Sequence, residues 1–507
     1  MKNASDDKVL VLELNEVPWQ VINTFVERHP NSALAGIMGR CGKLTTHLPD
    51  TGQLHPKTSW QTFHRGVPDH VHGIREYNQQ DSPGQRNNPT LWALAGDAGK
   101  RVGCGASIGS WPLPKDTQNV DFWLGDPFAP DPESIPAPVT AFQEFNTLAV
   151  ARSSRQVRTG GVSRKVIFNF LKSAPKLGIR VNTVTSTLKQ LTAERLNPAR
   201  SVRRRNIQAL MSYDVSEKQW QNTQPHLTTI FINHVAAAMH RYWAAAFPGD
   251  YESNNMPEQW RETYRDEIDE AMQIADHMIG RALKTIKGTN TTLLILGSMG
   301  QAGIEHEPTF NQLVIKDMTK FLSLAGMSTD DFVQLPGMEP EYTLRFSTPE
   351  LLDQFEKASA NIDINGRAPY IKRASATECS LLVDQYNVDF ESITVNGAAV
   401  PVEMTGLHIE IIEDIAGSTA QHTANGAAIV VSPERDLSFL SDHQEPVDVC
   451  SVTAALLESI DVPVPEYMPE PLAELVQALR TSPPASPSPL EKPATEAASK
   501  LRTAEPA

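Results

Sequence analysis

The chain has 507 residues, 40% hydrophobic and 21% charged, with 45 Lys+Arg against 60 Asp+Glu and a formal charge of −15. That length and composition bury a sizeable core without disulfide or metal support, and the acidity excludes a protein that coats nucleic acid over its whole surface. The four cysteines, Cys41, Cys104, Cys379 and Cys450, are widely spaced and offer neither a disulfide framework nor CxxC metal spacing.

In chain order, 9–14 (VLVLEL) is a short β-rich apolar run of the kind found in a buried parallel strand. Ile22, Phe25 and Val26 then fall at i, i+3 and i+4 of a helix. Further buried strands are expected at 228–233 (TTIFIN), 291–296 (TTLLIL) and 427–432 (AAIVVS). One long helix is expected between the first two of these, with Trp260, Tyr264, Ile268, Met272, Ala275, Ile279 and Leu283 on one stripe. A last helix over 447–460 precedes Pro463 and Pro465. Strands alternating with helices predict an α/β core with a mostly parallel sheet.

Two segments break the rhythm. Positions 151–210 hold ten Arg and four Lys against one carboxylate, Glu194, a net +13 that leaves −28 for the remainder. This stretch, extended to 225, has helical patterns and no clear strand, and VIFNFL (166–171) among Arg164, Lys165 and Lys172 reads as a basic amphipathic helix. Positions 328–416 mix strand and helix signals, as in an α+β insertion or lid. The expected organisation is therefore 1–150, 226–327 and 417–480 as parts of one core, with insertions at 151–225 and 328–416. The Pro-rich tail 481–507 is expected to be disordered. No signal peptide and no span of roughly 20 apolar residues is present, so a cytoplasmic chain is expected.

No P-loop, GxGxxG, GxSxG or HExxH pattern occurs. Polar residues instead gather where strands end, which is where open α/β sheets place their sites. They are Glu13–Glu16 (ELNE), TSWQTF from Thr58 followed by GVPDHVHGI from Gly66, Asn233-His234 leading to HRYW from His240, GSMGQ from Gly297, and GSTAQHTANG from Gly417. The bland reading of each is a capped turn, a loop hydrogen bond or a packed histidine. His55, His64, His70 and His72 in particular read as turn and helix packing.

In that order these motifs, with the closing VDVCSVTAALLESIDVPVPEYM, resemble the alkaline phosphatase superfamily, most nearly its type I phosphodiesterase/nucleotide pyrophosphatase branch. The resemblance covers 9 to about 468. It implies a phosphoester hydrolase or transferase in which a hydroxyl attacks a phosphoryl or sulfuryl group held by two divalent ions. Carried over residue by residue, it makes Thr58 the nucleophile, with Ser59 as fallback, and His240 and His422 metal ligands. Asn15 and Glu16 stand where the branch has Asp-Gly, Ala236 where it has an Asp, and Ser298 and Met299 where it has Asp-His. LELNE, NHV…HRYW and the Gln after the third strand resemble a divergent bacterial alkaline-phosphatase-like subgroup that keeps Asn-Glu, although Ala237 stands where that subgroup has His.

Two imidazoles and a neutral amide hold at most one divalent ion, Zn or Mn, unless Glu13 or Glu16 turns inward. The expected site is then Thr58 and Glu16 for catalysis, Asn15, His234, Ser298 and Gln301 for substrate, and His240 and His422 for metal. The alternatives are a pseudoenzyme that binds an anionic ligand or partner without turnover, and metal-free catalysis with His240 or Glu16 as general base. The expected partner is an anionic small molecule or a glycan or lipid phosphate. For the basic segment, three uses stand open: an anionic membrane, a polyanionic substrate, or docking on the acidic body. No nucleic-acid motif accompanies it.

Overall fold

The computed structural model describes residues 6–80, 82–151, 163–337, 341–390 and 392–481. The tail from 482 lies outside the described residues. Nine strands form the central sheet: β1 (Lys8–Leu14), β2 (Gly42–His47), β3 (Val102–Gly105), β4 (Val120–Leu124), β5 (Ser134–Ile135), β6 (Leu227–Ile232), β7 (Thr291–Leu296), β8 (Asn425–Val431) and β9 (Val447–Asp448). Their order is β9-β2-β8-β7-β1-β6-β3-β4-β5. β1 runs parallel to both β6 and β7, and β3 runs parallel to β4 and β6. β8 is antiparallel to β2 and β7, and β5 is antiparallel to β4.

The apolar runs that announce β1, β6, β7 and β8 are continuous because both faces of the sheet are covered. Leu10 and Leu12 face one buried cluster, and Val9 and Val11 the other. The helices used below are α1 (Trp19–Arg28), α2 (Pro56–Arg65), α3 (Thr140–Ala151), α4 (Arg164–Leu177), α5 (Val181–Leu196), α6 (Arg204–Thr223), α7 (His234–Ala246), α8 (Glu258–Tyr264), α9 (Glu267–Ile286) and α10 (Val449–Ser459). The single helix expected through Trp260 and Leu283 is two, α8 and α9, broken at Arg265-Asp266. The second starts on a first turn containing Glu267, Asp269 and Glu270, where negative charge suits the helix dipole.

From 164 onward the basic segment is built of the helices α4, α5 and α6; its part at 152–162 lies outside the described residues. Arg203 pairs with Glu267 and Glu270 on α9, and Arg180 with Glu217. A third apolar cluster runs from Leu313 to Leu407 and includes Phe321, Leu344 and Phe355, so the α+β unit has its own core. The strand Asn311–Ile315 pairs with Leu407–Ile411 at its base.

Candidate metal centre

β1, β6 and β7 end side by side, because Leu14 pairs with Ile232 and Glu13 with Leu296. Asn15 extends the ladder by donating its backbone N–H to Ile232 O. The chain then turns through Glu16 at φ 62°, a left-handed conformation that disfavours a side chain. Glu16 is buried all the same.

Its carboxylate is the focus of the site. Oε1 accepts from Asn15 Nδ2 at 2.8 Å, and Oε2 accepts from Gln301 Nε2. His240 Nε2 lies 3.0 Å and His422 Nε2 3.3 Å from the same Oε2. His240 is on the second turn of α7. His422 sits on a short strand, Ala420–Thr423. That strand pairs antiparallel with Gly300–Gly303 and sets His422 opposite Gln301.

Each ring is fixed from behind. His422 Nδ1–H donates to Leu54 O at 2.8 Å and His240 Nδ1–H to Ala420 O at 3.3 Å. These bonds turn both Nε2 atoms toward Glu16, with the ring centroids 4.9 Å apart and nearly perpendicular. Burial would raise the Glu16 carboxyl, but His422 and His240 outweigh it and hold it well below the usual carboxylate range.

The donor atoms of Glu16, His240 and His422 all lie within 4.8 Å of one another. Gln301 Oε1 is buried without a hydrogen-bond partner. Two imidazoles pinned through Nδ1 to backbone carbonyls, plus one carboxylate, form a ligand set that suits zinc with a fourth position open. Nitrogen donors make it a poor site for calcium or magnesium. Glu16 is the carboxylate of this group. Glu13 does not turn inward; it binds His64 Nε2 at 2.7 Å, both fully buried. A second ion finds no comparable set among the described residues, since Met299 packs with Leu48, Val449 and Cys450.

The other candidates occupy distinct positions. Asn15 has its amide fully taken up, by Trp60 Nε1–H at 2.8 Å on Oδ1 and by Glu16 and Asn233 as acceptors, so it orients Glu16. Ser298 Oγ meets Ser59 Oγ at 3.1 Å, both fully buried. Thr58 is buried in the first turn of α2. His234 Nε2–H donates to Ala271 O, and burial lowers its pKa to about 4, which leaves an unpartnered Nδ1 lone pair. His55 caps α2 by accepting from Lys57 N, and His72 bonds Thr62 and Ile74 N, both in local packing roles.

A cavity of about 160 Å³ adjoins the cluster. Glu16, His234 and His240 line it beside Ile108, Phe128 and Phe231, and Arg205 and Gln208 of α6 reach it from the basic segment. The positions of Trp60 and Arg205 were not among the expected site residues.

Gly300 permits the strand pairing that carries Gln301, since a Cβ there would stand 2.2 Å from Asn425 O. Gly300→Ala is expected to cost about 1–3 kcal/mol and to weaken metal binding, as read by calorimetry and metal titration.

No family model matches the chain. No curated protein sequence matches it either. Among solved structures it is similar to murine ectonucleotide pyrophosphatase/phosphodiesterase 5, at 12% identity over 91% of this chain and 96% of that one, with a TM-score of 0.36. The human ectonucleotide pyrophosphatase/phosphodiesterase 5 gives 12% identity over 94% and 100%, with a TM-score of 0.37. Phosphonoacetate hydrolase from Sinorhizobium meliloti 1021, in complex with phosphonoformate, gives 10% identity over 90% and 96%, with a TM-score of 0.39.

Proposed function

We propose that the chain is a divergent alkaline-phosphatase-like hydrolase that cleaves a phosphoester or related anionic ester at a single-metal site. The observation that carries this reading is the convergence of Glu16, His240 and His422 beside a cavity that the basic segment helps to wall. A bound divalent ion, zinc or manganese, would supply Lewis-acid polarisation of an ester oxygen. The protein's own part is positional: Leu54 O and Ala420 O hold the imidazoles, while Asn15 and Gln301 hold the carboxylate. Arg205 brings positive charge to the cavity, and His234 Nδ1 offers an acceptor to a substrate hydroxyl.

Thr58 is the hydroxyl proposed to attack: its Oγ1–P bond forms as the ester bond to the leaving oxygen breaks, the hydroxyl proton ends on that leaving oxygen, and water then hydrolyses the Oγ1–P bond to release the phosphoryl group and restore the hydroxyl. The test is zinc and manganese content of the purified protein together with turnover of bis-p-nitrophenyl phosphate. Bound metal with turnover is expected, and Thr58→Ala is expected to lower kcat by at least about 100-fold with metal content unchanged. Turnover that survives in Thr58→Ala assigns the attack to water. Protein with neither metal nor turnover overturns the reading.

The packing of Met299 among apolar side chains favours a second reading. In that reading the site holds an anionic ligand or partner and does not turn it over. Metal bound by all three residues with no turnover of any ester would favour that reading.

A further inference from the structure

Among the described residues, eight of the eighteen exposed large apolar side chains fall on or directly after α4 and α5. α4 buries Val166, Phe170, Ala174 and Leu177, and Phe170 stacks on Phe145 of α3 with centroids 4.7 Å apart. Its opposite face exposes Phe168 (67%) and Leu171 (60%). α5 exposes its apolar side chains and buries polar ones. Thr183 and Glu194 are buried toward the body, with Thr183 Oγ1 donating to Asp214 of α6 at 2.6 Å. Val181, Val184, Leu188 and Leu191, spaced three or four residues apart, face out. A solvated helix gains nothing from that arrangement, whereas a helix lying against an apolar medium does.

The charges on the same helices fit one such medium. Arg164, Lys165, Lys172, Lys176, Lys189 and Arg195 are all exposed. None of the six has an ion-pair partner among the described residues, in contrast to Arg180, Arg203 and Arg204, which bind Glu217, Glu267 and Glu194. Two copies meeting through this face in a symmetric pair would oppose six cations to six. Anionic lipid headgroups meet them with the opposite sign, while the acyl boundary takes the Phe, Leu and Val side chains. No described helix is long and apolar enough to cross a membrane, so the contact would lie in the plane of the surface.

We propose that α4 and α5 form a docking surface for anionic lipid bilayers. The assignment stands apart from the chemistry proposed for the metal site. The experiment is co-sedimentation of the full chain with vesicles of phosphatidylcholine alone or with 30% phosphatidylglycerol added, at low and high salt, with sedimentation velocity on the protein alone. Binding at least about tenfold tighter to the anionic vesicles is expected, weakening as salt rises. Phe168→Glu with Leu171→Glu, and separately Val184→Glu with Leu188→Glu, are each expected to lower that binding about tenfold or more. All four positions are exposed, and unchanged circular dichroism would show that the variants fold. Equal binding to both vesicle types, no binding to either, or binding unaffected by these substitutions would overturn the proposal. So would a dimer that dissociates in Phe168→Glu/Leu171→Glu with no vesicle binding, because a second copy would then cover the face.

Discussion

Glu16→Gln is expected to lower zinc affinity by more than about 100-fold while the protein stays folded. The amide keeps the size of the carboxylate and can still accept from one of the donors Asn15 and Gln301. What it removes is the negative charge, and no other carboxylate joins His240 and His422 in a ligand group among the described residues. Two neutral imidazoles alone give a weak site for a divalent ion. His422→Ala is expected to do the same by removing a nitrogen, so the two variants reach one result by separate routes. Equilibrium titration against a competing chelator, with a thermal scan of each variant, measures both. Zinc affinity unchanged in Glu16→Gln would exclude Glu16 as a ligand and leave it only a hydrogen-bonding role.

The second large effect concerns stability. Asp414→Ala is expected to destabilise the protein by about 3–5 kcal/mol, because it strands a buried charge. The Arg241 guanidinium, on α7 one residue after His240, pairs with Asp414 while almost fully buried. Tyr242 donates its hydroxyl to the same carboxylate at 2.6 Å. Burial acts to raise the Asp414 carboxyl, but Arg241 and Tyr242 together hold it below its usual range. A carboxyl depressed in the folded state contributes stability that is fully present above its unfolded value of about 3.9. That contribution is lost as pH falls through the lower folded value. The gap between wild type and Asp414→Ala should therefore be constant from about pH 5 upward and narrow below pH 4. Urea unfolding at several pH values reads it directly, and a gap that widens on acidification would contradict the sign.

Much of the core was legible because burial on both sheet faces writes itself as uninterrupted apolar sequence, as at β1, β6, β7 and β8. β3, with the sequence VGCG, carries no such mark and is held in place by its neighbours. The break between α8 and α9 is invisible to periodicity because the apolar stripe from Trp260 to Leu283 continues across it. Within the site, His240 and His422 stand out through motif order. The role of Glu16 needed the turn geometry, since nothing local distinguishes a carboxylate that folds inward at φ 62° from one that caps a helix. The strand under His422 was hidden for a similar reason: AQHT and GQAG have little β-propensity, and each finds its partner only in the folded chain.

Glu16, His240 and His422 lie far apart in sequence, and they meet where β1 is flanked by β6 and β7. Synthesis must therefore pass residue 422 before His240 and His422 can both join Glu16. On the proposed reading, ion capture would follow folding, since an emerging fragment ending before 422 has no complete set to offer. Protein made in metal-starved cells should fold, remain empty and accept zinc afterwards at its full stoichiometry. Such late loading would let metal supply, acting after synthesis, govern how much of the protein is competent.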